Sequence, residues 1–65
     1  MRIHLDPHSP EICYAVLRGS EAWTDQRRAK AVARAIRLGA KWLEVYESGN
    51  DKVARLAINL TMEPR

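Results

Sequence analysis

Phenylalanine is absent from this 65-residue chain, so its two Trp and two Tyr supply all the aromatic bulk. A single cysteine, Cys13, excludes an intramolecular disulfide and any zinc site built on cysteines. Three Gly and three Pro leave few breakpoints and no linker or low-complexity segment. No apolar run approaches the length that spans a bilayer. The N-terminus lacks the charged-then-apolar order of a signal peptide, so a cytoplasmic, non-membrane protein is expected.

The 46% apolar and 29% charged content is that of a folded domain, and the length allows one domain, residues 1–65. A chain of this size buries only about 60% of its unfolded surface, so a homodimer or a stably bound partner would support it beyond the monomer. The net charge of +3 is unevenly placed: residues 20–41 hold six basic and two acidic side chains. Such a balance permits nucleic-acid binding without establishing it.

The chain is organised around Trp23 to Lys41, WTDQRRAKAVARAIRLGAK, its one long helical signal. Ala29, Val32, Ala33, Ile36 and Ala40 follow the i, i+3, i+4, i+7 spacing of an apolar helix face. Thr24 or Asp25 can cap its start, and Gly39 can take the left-handed conformation that ends it. Arg27, Lys30, Arg34, Arg37 and Lys41 fall within roughly 80° on the same helical wheel, forming a basic ridge. The ridge suits phosphates or an acidic protein surface, and the plain alternative is a solvated helix face.

The remaining segments read as strands. Arg2 to Leu5 alternates with Ile3 and Leu5 on one side, and Asp6-Pro7-His8-Ser9-Pro10 is turn chemistry. Glu11 to Arg18 is a β-branched and aromatic run closed by Gly19. Lys41 to Glu47 alternates, Ser48-Gly49-Asn50-Asp51 turns, and Lys52 to Met62 carries Ala54, Leu56, Ile58, Leu60 and Met62 on one face. The order is ββαββ, an α+β domain. Its expected form is a small antiparallel sheet with the central amphipathic helix packed on one face, Val32 and Ile36 meeting Leu43, Val45, Leu56, Ile58 and Leu60.

The other sheet face would then present Trp42, Glu44, Tyr46, Arg55 and Asn59, with Tyr14 a candidate neighbour. Aromatics beside an arginine suit a protein-binding surface, and equally a platform for nucleic-acid bases. Covering the sheet is the structural alternative. His4, Asp6 and His8 share strand parity and offer metal-ligand types. Pro7 and Pro10 interrupt the strand and no fourth ligand follows, so no metal or other cofactor is expected. Cys13 as a nucleophile would need His4 or His8 as base; an isolated Cys in an apolar strand reads instead as a small hydrophobe. No enzyme is expected.

The segment AKAVARAIRLGAKWLEVY, followed by a turn and KVARLAINL, resembles the very small proteins of phages and mobile elements. In layout it is similar to some anti-CRISPR inhibitors of type I systems, over roughly residues 29–60. The resemblance implies a non-enzymatic inhibitor in a bacterial host cell. Such an inhibitor would bind a Cas subunit of a surveillance complex, or a Cas nuclease, and block DNA binding or recruitment. That group has no shared catalytic motif, so the resemblance assigns no residue. Many such inhibitors are acidic DNA mimics, whereas this chain is basic, with a local acidic patch available from Glu21, Glu44, Glu47 and Asp51. The alternative is a nucleic-acid-binding module using the helix ridge.

Overall fold

The computed structural model describes residues 1–49 and 53–62. Its elements run β1 (Arg2–Leu5), β2 (Ile12–Leu17), α1 (Asp25–Arg37), β3 (Trp42–Glu47) and β4 (Leu56–Asn59), followed by a 3-10 turn over Leu60–Met62. The expected ββαββ order and the helix on one sheet face both hold. The four strands form one sheet in sequence order, β1-β2-β3-β4. The outer pairings, β1 with β2 and β3 with β4, are antiparallel as anticipated. The central pairing is parallel, so the sheet is mixed. The helix makes this possible: parallel neighbours need a crossover connection of about a dozen residues or more, which α1 supplies between β2 and β3.

The loop between β1 and β2 is closed by Asp6. Its Oδ1 accepts from the His8 N–H at 2.8 Å, and its backbone N–H donates to the Ile12 carbonyl at 2.9 Å. This is the local side-chain-to-backbone bonding that favours Asp in turns.

The helix is shorter than its sequence signal. Thr24 caps it, its hydroxyl accepting from the Arg27 N–H at 3.2 Å. At the other end the Gly39 N–H reaches the Ile36 carbonyl and the Ala40 N–H reaches the Ala35 carbonyl, each at 3.0 Å, with Gly39 at φ +85°. That paired return is the Schellman arrangement, and the left-handed φ explains glycine at this position. Lys41 therefore lies beyond the helix, where its N–H donates to the Glu11 carbonyl at 2.7 Å, and it does not extend the ridge.

The buried face of α1 also differs from the expected stripe. Ala31, Val32 and Ala35 are buried and Ile36 is partly so, while Ala29 and Ala33 are exposed. The helix is rotated by roughly a quarter turn from the face read in sequence. Alternating alanines fall on two opposed sides of the helix, Ala29 with Ala33 and Ala31 with Ala35, so spacing alone does not choose between them. Seated on Ala31 and Ala35, the helix approaches a sheet whose β2 positions are themselves small, Cys13 and Ala15. Leu17, Leu43, Val45, Ile58, Leu60 and Ala40 complete the buried cluster.

The last strand is shorter than expected. Asn59 Oδ1 accepts from the Thr61 N–H at 3.1 Å and from its hydroxyl at 2.6 Å, turning the chain out of the sheet. Ile58 and Leu60 reach the core as anticipated, but Leu56 is 38% and Met62 81% exposed. The helix lies against β1 and β3, so the β4 edge extends past its cover. Asn50, Asp51 and Lys52, where the turn and the start of the last strand were expected, lie outside the described residues. No helix among the described residues is long and apolar enough to cross a membrane.

Candidate functional site: the open face of the sheet

With the helix on one face, strand alternation sends His4 of β1, Tyr14 and Val16 of β2, and Trp42, Glu44 and Tyr46 of β3 to the other. Register decides which of them meet. His4 pairs with Tyr14, Tyr14 with Glu44, and Val16 with Tyr46. The Tyr14 ring stands edge-on to both neighbours: to His4 at 5.5 Å between centroids and 77°, and to Tyr46 at 5.4 Å and 85°. Such edge-to-face geometry is the favoured one for aromatic quadrupoles. His4, Tyr14, Val16 and Tyr46 line a shallow depression, and Trp42, 42% exposed, lies two residues before Glu44 at the start of β3.

Both phenols are committed to carboxylates. The Tyr14 hydroxyl donates to Asp6 Oδ2, and the Tyr46 hydroxyl donates to Glu44 Oε1 at 2.8 Å. The bond to Asp6, then burial and neighbouring negative charge, push the Tyr14 phenol up to about 12. The bond to Glu44 and burial push the Tyr46 phenol upward as well. Asp6 is held below the usual carboxylate range, first by the Tyr14 hydroxyl and then by the His8 N–H. Ionising either phenol would set an anion against a carboxylate, which is the shared physical cause.

Arg55, expected among these aromatics, has its guanidinium on Glu47 Oε1 at 2.5 Å, at the far end of β3. His4 and Asp6 are brought to the site by Tyr14, through ring contact and hydrogen bond respectively, while His8 contributes its backbone N–H to Asp6. Among the described residues no three His, Cys, Asp or Glu side chains gather as a metal site requires. Cys13 is wholly buried on the helix side, and burial raises its thiol above the ordinary range, the opposite of nucleophile activation. His4 was legible as an open-face residue from the alternation of Ile3 and Leu5. Its neighbour was not, because that needs the β1–β2 register.

The helix ridge forms the second charged surface. Arg27 is drawn to the N-terminal side: its Nη1 donates to the Ala22 carbonyl at 2.8 Å, and its Nε lies 3.7 Å from Glu21. Glu21 also accepts from the Met1 ammonium at 2.8 Å and the Arg18 N–H at 2.7 Å, which holds its carboxyl below the usual range. Arg27, Lys30 and Arg34 line a groove with Met1, Ile3 and Glu21. Among the described residues, no acidic side chain forms an ion pair with Lys30, Arg34 or Arg37.

Comparison of the chain with protein-family models, with curated protein sequences and with solved structures finds no match.

Proposed function

We propose that this chain is a non-enzymatic binding domain that docks on a protein through the open face of its sheet. In this reading it acts in the bacterial cytoplasm, without a cofactor, as a small phage or mobile-element inhibitor of the anti-CRISPR kind. It seats on a Cas subunit of a type I surveillance complex and blocks DNA binding or recruitment. The observation that carries the docking is the uncovered aromatic face: Trp42, Tyr46 and Tyr14 stand on the side of the sheet opposite the only helix among the described residues. Tyrosine and tryptophan contribute most to docking surfaces because they bury large area for little lost freedom. The resemblance of residues 29–60 supports the kind of partner.

The test is capture of a type I surveillance complex from bacterial lysate, with and without nuclease. Recovery of one Cas subunit under both conditions is expected, falling at least about tenfold with Trp42→Ala or Tyr46→Ala. Capture unaffected by both substitutions would move the interface elsewhere.

A second reading, nucleic-acid binding, is favoured by the groove-lining Lys30 and Arg34 and by Arg37, which have no acidic partner among the described residues. It would show as material that nuclease removes from the capture.

A further inference from the structure

The depression on the open face has a chemistry of its own. Three strands contribute one ring each. His4 and Tyr46 flank Tyr14, and both stand nearly perpendicular to it. Edge-to-face stacking of this kind uses the positive rim of one ring against the negative face of another, and leaves further ring faces to solvent. Two carboxylates adjoin the rings, Asp6 at the Tyr14 hydroxyl and Glu44 at the Tyr46 hydroxyl. Each phenol therefore spends its one donor inside the cluster, while each carboxylate keeps acceptor sites beyond that bond. The charges act on one another as a set: Tyr14 feels both Asp6 and Glu44, and so does Tyr46. The site offers ring faces and acceptors and has no hydroxyl donor left to give.

A phosphate or an acidic side chain would meet two carboxylates here. A cation would lie on the ring faces that line the depression, with the Asp6 and Glu44 carboxylates adjoining them at the phenols, and both features attract it. The chain's own Arg55 is held by Glu47 and does not line the depression. Arg2 lies two register pairs along β1 from His4, opposite Val16 at the edge of the depression, and does not line it.

We propose that the depression lined by His4, Tyr14, Val16 and Tyr46 is a cation-accepting site whose occupant is the guanidinium of an arginine on the partner protein. Arginine is chosen over lysine because a planar guanidinium lies flat on a ring while its edge donates to a carboxylate, and it sheds water more easily than an ammonium. Glu44 is the expected carboxylate partner, being on the same strand face as Tyr46. This inference rests on the proposed docking of the sheet face and specifies its chemistry: the partner surface is basic at the contact.

The test needs no partner. The full chain is titrated with acetyl-Gly-Arg-Gly-amide, and with the same peptide carrying citrulline, while the ring resonances of His4, Tyr14 and Tyr46 are followed by NMR. Saturable ring shifts are expected with the arginine peptide, with affinity about tenfold lower for citrulline, which has the shape without the charge. Glu44→Gln should weaken the arginine peptide while leaving the backbone amide spectrum of the fold in place. Tyr46→Phe, which keeps the ring and frees the carboxylate, should retain binding.

Ring resonances that do not move, or that respond equally to both peptides, overturn the inference, as do saturable shifts confined to α1. If the rings stay silent while capture of the Cas subunit still depends on Trp42 and Tyr46, the cation site falls and the docking face stands. If the rings bind arginine while capture ignores them, the site stands and the docking reading falls.

Discussion

Tyr14 and Asp6 hold each other in opposite protonation states, and this gives the pair a defined pH window. Tyr14 is raised to about 12, so its contribution to stability is complete below the unfolded phenol value near 10 and is lost as pH rises through about 12. Asp6 is lowered from 3.8, so its contribution is complete above that value and is lost as pH falls through its lower folded pKa. Tyr14→Phe should remove the most alkaline step from a phenolate absorbance titration. It should also return the Asp6 carboxyl, read by NMR, toward the ordinary range. If that most alkaline step survives the substitution, it belongs to Tyr46 instead. Each hydroxyl was visible in sequence as a polar tip on an aromatic strand residue. That the Tyr14 hydroxyl would meet a turn carboxylate eight residues away required the β1–β2 register.

At the scale of the element, α1 shows how a clear helix signal leaves its orientation open. The Gly39 stop was readable, and the start cap was narrowed to Thr24 or Asp25, of which Thr24 takes it. The buried stripe was not readable, because the alternating alanines offer small apolar positions on two opposed faces. Ala35→Leu, inserting bulk where the helix meets the sheet, should cost about 1–3 kcal/mol of stability in urea unfolding. Ala33→Leu, on the exposed side, should stay within about 0.5 kcal/mol of the parent. The reverse ranking would return the helix to the face its spacing suggested. The last strand makes a related point. Its alternation runs unbroken in sequence through Met62, yet the Asn59 side chain competes for the backbone at Thr61 and turns the chain into a 3-10 turn.

For the molecule as a whole, one helix on one four-stranded sheet makes a slab 29 × 27 × 15 Å, with a radius of gyration of 10.9 Å. That radius matches the ~11 Å expected of a compact chain of this length. The two broad sides differ in chemistry: aromatic rings with carboxylates on the sheet, and on the helix Lys30, Arg34 and Arg37 with no acidic partner among the described residues. If the helix binds phosphate, replacing Arg34 and Arg37 together by Gln should reduce the slope of log affinity against log salt by nearly two for duplex DNA. Fluorescence anisotropy with a labelled duplex at several salt concentrations reads that slope. An unchanged slope would take the ridge out of nucleic-acid binding.

The sequence by itself determined the number and order of the elements, the first strand to the residue, the glycine stop of the helix, and the face assignments of β1 and β3. All of these follow from local periodicity and from side chains acting on their own backbone. Only the tertiary structure decided that β2 and β3 run parallel, that α1 sits on Ala31 and Ala35, and that His4, Tyr14 and Tyr46 share one site while Arg55 is engaged by Glu47. Those outcomes depend on which distant segments bury each other's small and large side chains. Alternation along a strand records which way a residue points; it carries no record of which strand lies beside it.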